Sequence, residues 1–281
     1  MLKNVKTLAV ITAALVGSFA NVAQAADDIA LPKDYRLVWA DEFNGKGLPD
    51  PSRWAYDTEA NKTGWYNHEK QYYSGPRLEN AEVKGGVLRI TARKEARQDQ
   101  PDWGGQDYSS TRLITRGKAD WLYGFFEIRA KLPCGKGTWP AIWFLGTGGK
   151  WPDDGELDLL EQIGHAPDHV FSTTHTKAGN GGQGVSGGRR LATACSQFHR
   201  YQMHWTENEV RFGIDGHTHF RYTRQDTGSP EGNARVWPFD KPQYLILNLA
   251  MGGDLGGAID DAALPRTFEV DYVRVYQPSP K

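Results

Sequence analysis

Sulfur is scarce in this chain: 281 residues contain only two cysteines and three methionines. Two thiols are too few for the usual cysteine-rich metal sites. There is no heptad pattern, no internal repeat and no long linker, which excludes coiled coils and solenoids. Neither sign of charge is in excess, with 33 Lys and Arg against 34 Asp and Glu. That balance gives no electrostatic reason to expect nucleic acid or an anionic membrane as a partner. The one leading apolar run, residues 8–20, lies behind Lys3 and Lys6 and ahead of Ala23-Gln24-Ala25. This layout predicts a secretory signal peptide over residues 1–25, cleaved after Ala25; the run is too short for a membrane span. The remainder, 26–281, is expected to be one exported, soluble, monomeric domain without a membrane partner.

What is abundant points to β-structure. Ten Trp, 12 Tyr and 11 Phe accompany 32 Gly. Short alternating stretches recur: "GGVLRITARKE", "YGFFEIRAKLP", "WPAIWFLG", "GELDLLEQIG", "HVFSTTHT" and "FEVDYVRVYQ". "QYLILNLAMGG" is apolar throughout, as a strand buried on both faces requires, and Asp215-Gly216 predicts a tight hairpin. Many short strands joined by Gly-rich turns imply an all-β sandwich or barrel. The long polar connections "RKEARQDQPDWGGQDYSSTR" and "TKAGNGGQGVSGGRR" would rim one edge as loops. In an exported chain Cys134 and Cys195 are expected to pair, with two buried free thiols as the alternative.

The densest chemistry lies in "WPDDGELDLLEQIG". Glu156 and Asp158 share a strand face, whereas Glu161, five residues from Glu156, should point the other way. One extra residue between Asp158 and Glu161, a β-bulge, returns Glu161 to the acidic face and turns Leu157 and one of Leu159 and Leu160 inward. Three neighbouring carboxylates repel one another, raise at least one pKa and so divide into an ionised and a protonated partner. On a flat strand the outer pair would stand about 13 Å apart, so a joint reaction needs a curved sheet. A solvated acidic edge fits poorly with the intervening leucines, and a calcium site normally takes its ligands from a loop.

"GELDLLE" resembles the Glu-x-Asp-x-x-Glu signature of glycoside hydrolase family 16, in the bulged form of laminarinase-like endo-β-1,3-glucanases. "ADEFNG", "GWYNHEKQYY", "GKGTWPAIWFLG", "FHRYQMHWT", "LILNLAMGG" and "VDYVRVY" resemble further family landmarks in the same order. The resemblance implies a β-jelly-roll of two antiparallel sheets with a concave substrate cleft, and retaining hydrolysis without a catalytic cofactor. Glu156 would be the nucleophile, Glu161 the acid/base and Asp158 their assistant. Trp139, Trp143 and Trp151 would line the cleft, with Asn67, Glu69, Arg112 and His175 as further substrate contacts; His175 would face Glu161. Trp54 and Trp205 are read as core. Tyr66 stands where the common family form has glycine, which alters the shape of that subsite. A structural calcium is implied at Glu42, Gly86 and Asp271. The substrate is expected to be a laminarin-type β-1,3-glucan. The alternatives are a mixed-linkage β-1,3-1,4-glucan, another family 16 polysaccharide, or glucan binding without catalysis.

Overall fold

Side-chain alternation carries this chain into strands over much of its length, and the computed structural model describes residues 28–280. The expected signal peptide lies outside the described residues. Among them, the first strands are β1 (Tyr35–Asp41), β2 (Ala55–Tyr56), β3 (Gln71–Tyr73), β4 (Ala81–Val83), β5 (Leu88–Lys94) and β6 (Tyr108–Ser110). Next come β7 (Arg112–Ile114), β8 (Gly124–Lys131), β9 (Thr138–Gly146), β10 (Glu156–Gln162), β11 (His169–His175) and β12 (Val185–Arg190). The last five are β13 (His199–Trp205), β14 (Glu209–Ile214), β15 (His217–Thr223), β16 (Gln243–Met251) and β17 (Arg266–Pro278).

Two sheets result. A ten-stranded one follows β15-β14-β13-β8-β17-β5-β6-β3, with β1 added on β17 and β4 on β5. The other, of seven strands, runs β12-β11-β10-β9-β16-β7-β2. Pairing is antiparallel except for β3 beside β6. The inward residues of both sheets meet in one core: Leu88, Ile90, Phe126 and Ile128 from the first, Ile142, Phe144, Leu157 and Leu247 from the second. This is the expected jelly-roll sandwich. Leu159 and Leu160 are both in that core, where one of the two was expected. The bulge, with two residues facing one, accommodates them side by side.

Strand β16 is buried along its whole length between β9 and β7, as its unbroken apolar character requires. Trp54 and Trp205 are buried in the core. At the β14–β15 hairpin Asp215 (φ 53°) and Gly216 (φ 89°) both take the left-handed backbone that a type I′ turn demands. Cys134 and Cys195 form a disulfide, their Cα atoms 5.7 Å apart across 61 residues of sequence. One segment departs from expectation: "TKAGNGGQGVSGGRR" is not all loop, since Val185–Arg190 forms the edge strand β12. Gly187 lies against the Phe220 ring, where a Cβ would come within 2.8 Å, so close packing explains a glycine inside a strand. No helix among the described residues is long and apolar enough to cross a membrane.

Candidate active site

Strand β10 holds the acids on the outward face of the seven-stranded sheet. Its register against β11 shifts between Asp158 and Glu161, and against β9 between Asp158 and Leu160. The bulge is therefore present, and it puts Glu161 opposite Phe171 and Ala141 on the face that carries Glu156 and Asp158. The buried Ser172 hydroxyl donates to the Leu159 carbonyl at 2.7 Å, satisfying a backbone acceptor that the bulge withdraws from the ladder.

Each acid has its own partners. The Trp139 indole N–H donates to Glu161 Oε1 at 3.0 Å, and the Thr173 hydroxyl to Oε2 at 3.3 Å. Trp151 donates to Glu156 Oε2 at 2.5 Å while its ring stays half in solvent. His175 lies opposite Glu156 in the ladder, and its Nε2 is 3.1 Å from Asp158 Oδ2. The expectation that His175 faces Glu161 is thus corrected: the shift in register beyond Asp158 gives Glu161 to Phe171 instead. Glu156, Asp158 and His175 bring their polar atoms within 4.8 Å of one another, a group of three that could hold a metal ion.

Burial is the first cause of high pKa values throughout this cluster. It pushes Glu156 up to about 8, with Asp158's charge adding to the effect. Glu161 rises to about 7, held back by the Trp139 hydrogen bond and raised further by the charge of Glu156. Asp158 is also raised, by burial and then by Glu161. Neighbouring carboxyls disfavour joint ionisation, so protonated and ionised groups sit together here near neutral pH. An acid beside a carboxylate is what general acid catalysis with a nucleophile needs.

A second polar group lies across β9 and β16. Trp143, on the same face as Asp158, donates to Asn248 Oδ1 at 2.7 Å, and Asn248 Nδ2 donates to the Tyr73 hydroxyl at 2.9 Å. Tyr73 continues to Glu69 Oε2 at 3.4 Å, where Gln71 also donates at 2.7 Å. Arg112 is buried, its Nε 3.0 Å from Asp57 Oδ2, its guanidinium 4.7 Å from the Trp143 ring and 5.1 Å from that of Trp65. It is therefore a stacked, internal ion pair rather than a surface one. Burial pushes the Glu69 carboxyl up, against the pull of Gln71 and Arg112. Asn67 sits exposed in left-handed backbone (φ 55°), where asparagine is tolerated, and its side chain bonds to Glu69. Tyr66 beside it is 74% exposed.

Sequence reasoning missed Thr173, Tyr73, Asn248 and Asp57. Two had a readable signal: Asn248 is the one polar residue in "LILNLAM", and Thr173 shares the face of His175 by simple alternation. Tyr73 and Asp57 had none, because their partners are distant in sequence.

Glu42 follows the end of β1 and Gly86 precedes β5, two strands that pair with β17 on either side of Asp271. Two of their side chains already carry guanidinium partners. Asp271 is bound by Arg129, and Glu42 takes a two-bond clasp from Arg274 at 2.8 and 2.9 Å. A cation on the Asp271 carboxylate would compete with the Arg129 guanidinium, whereas one on the Glu42 backbone oxygen leaves the Arg274 clasp in place.

Comparison with known proteins adds an independent line. The profile of the glycosyl hydrolases family 16 matches residues 68–274. A beta-glucanase of Rhodothermus marinus is 48% identical over 252 residues, covering 86% of this chain and 85% of that one. A glucan endo-1,3-beta-glucosidase A1 of Niallia circulans is 38% identical over 86% of this chain, which spans 38% of that longer protein. Among solved structures SCLam, a non-specific endo-beta-1,3(4)-glucanase, superposes with a TM-score of 0.87 at 48% identity, covering 90% of this chain and 95% of that one.

Proposed function

The chain belongs to glycosyl hydrolase family 16, and on that premise we propose that it is a secreted endo-glycosidase cutting laminarin-type β-1,3-glucan by a retaining double displacement. One observation carries this reading: Glu161 regains the face of Glu156 across the bulge, and each of the two is held by an indole N–H. In the first step the Glu156 carboxylate attacks the anomeric carbon while Glu161 gives its proton to the departing glycosidic oxygen. The product is an ester between Glu156 and the sugar. In the second step Glu161 takes a proton from water, whose oxygen attacks the same carbon and frees Glu156. Asp158, on the same strand face as Glu156 and paired with His175, steadies the nucleophile and its charge. No cofactor enters either step. Arg112, Trp143, Asn67 and Glu69 would receive the non-reducing side of the chain, with Trp139 and Trp151 walling the cut.

The similarity to SCLam supports a second reading of the polymer, in which mixed β-1,3-1,4 linkages are cut as well. Reducing-sugar release from laminarin, lichenan and agarose separates the two; hydrolysis of agarose alone would overturn both. Glu156→Gln is expected to lower hydrolysis by about 10⁴-fold or more while oligosaccharide binding persists. A wild-type protein that binds glucan yet releases no sugar would instead be a lectin. The anomer first formed, read by proton NMR, tests retention. The same proposal includes cleavage after Ala25, a monomer, and calcium on Asp271 with backbone oxygens of Glu42 and Gly86. Mass of the exported chain, its elution volume, and melting in calcium against chelator check these in turn.

A further inference from the structure

Glu156 and Glu161 lie along one strand, opposite different residues of β11 and β9. A glucan chain passing between them must cross the strands rather than follow β10. It then runs over β9, β16 and β7 on one flank and over β11 and β12 on the other. In the proposed cycle the first flank, with Trp143 and Arg112, takes the non-reducing side. The second is left for the leaving group.

On β11 the residues sharing the acids' face are His169, Phe171, Thr173 and His175. Thr173 and His175 are committed to Glu161 and Asp158. Phe171 lies directly opposite Glu161, half-buried, and its ring stacks on that of exposed His169, centroids 6.0 Å apart and planes within 22°. Across the next ladder Phe171 faces Gly188. A Cβ on Gly188 would lie 2.9 Å from Phe171 Cβ and 2.9 Å from His169 Nε2. The place a side chain would take on Gly188 is therefore already filled by the His169 ring and Phe171, and the glycine lets the pair sit against β12.

We infer that Phe171, backed by His169 and seated with it on Gly188, is the platform for the glucosyl unit on the leaving-group side of the cut. An apolar ring face beside the acid/base suits the C–H face of a glucose ring and would hold the departing sugar, or an incoming acceptor sugar during glycosyl transfer. The inference rests on the proposed retaining glucanase.

The test uses two substrates of the intact enzyme. One is an aryl β-laminaribioside, whose leaving group is not a sugar; the other is laminaripentaose. Phe171→Ala is expected to lower the ratio of kcat/KM on pentaose to that on the aryl glycoside by about tenfold, the scale of one lost aromatic contact. Gly188→Ala should lower the same ratio, and Phe171→Trp should restore it. Added laminaribiose should yield less transfer product with Phe171→Ala than with the native enzyme. An unchanged ratio in both Phe171→Ala and Gly188→Ala overturns the platform, as does an equal loss on the two substrates. If the native enzyme cleaves neither, the proposed function fails first, and the two failures stay distinct.

Discussion

Trp139 reaches Glu161 from the neighbouring strand, and its N–H stabilises the carboxylate more than the acid. Catalysis in the proposed cycle begins with that acid protonated. It also needs Glu156 ionised, and burial lifts that group to about 8 against about 7 for Glu161, so activity should peak between about 7 and 8 and fall on either side. Trp139→Phe removes the bond that favours the ionised form, so the pKa rises and the alkaline limb moves to higher pH. A kcat/KM profile that stays in place, or moves to lower pH, would contradict the role given to this indole. Trp139 and Glu161 were both legible in the sequence as candidates. Their hydrogen bond was not, because it depends on how β9 and β10 are paired.

At the scale of the element, strand β10 explains why five residues separate two acids on one face. Leu159 and Leu160 both enter the core, and the Leu159 carbonyl leaves the ladder for the Ser172 hydroxyl. Ser172→Ala leaves that buried acceptor unmatched, a loss of about 1–3 kcal/mol. The expected result is a lower melting temperature together with a lower kcat, since the bulge aims Glu161. Full kcat with reduced stability would mean that the bulge holds its shape without this bond. The bulge was predictable because the acids demand a common face. Strand β12 was not, because three glycines within "GVSGGRR" read as loop and only packing on Phe220 makes one of them fit a strand.

For the molecule as a whole, one core draws on both sheets, and the disulfide ties the end of β8 to the approach of β13. Closing a loop of 61 residues should contribute about 2–4 kcal/mol by restricting the unfolded chain. Replacing both Cys134 and Cys195 with alanine is expected to lower the melting temperature, and reductant should do the same to the native protein but not to the variant. Equal sensitivity to reductant in both would show that the bond adds no stability. The pairing followed from the expected export and from the cysteine number. The clasp of Tyr73, Asn248 and Trp143 could not have, since its ends lie 175 residues apart before the sheets assemble.

By itself the sequence determined the strand-rich class, the three acids, the need for a bulge and the family, since each is written in local spacing or in collinear motifs. Tertiary structure alone decided which donors hold each acid, that His175 serves Asp158 rather than Glu161, and that Arg112 is buried between two tryptophans. Those outcomes depend on register between strands distant in the chain. A shift of one residue exchanges every cross-strand partner while leaving the alternation of each strand unchanged.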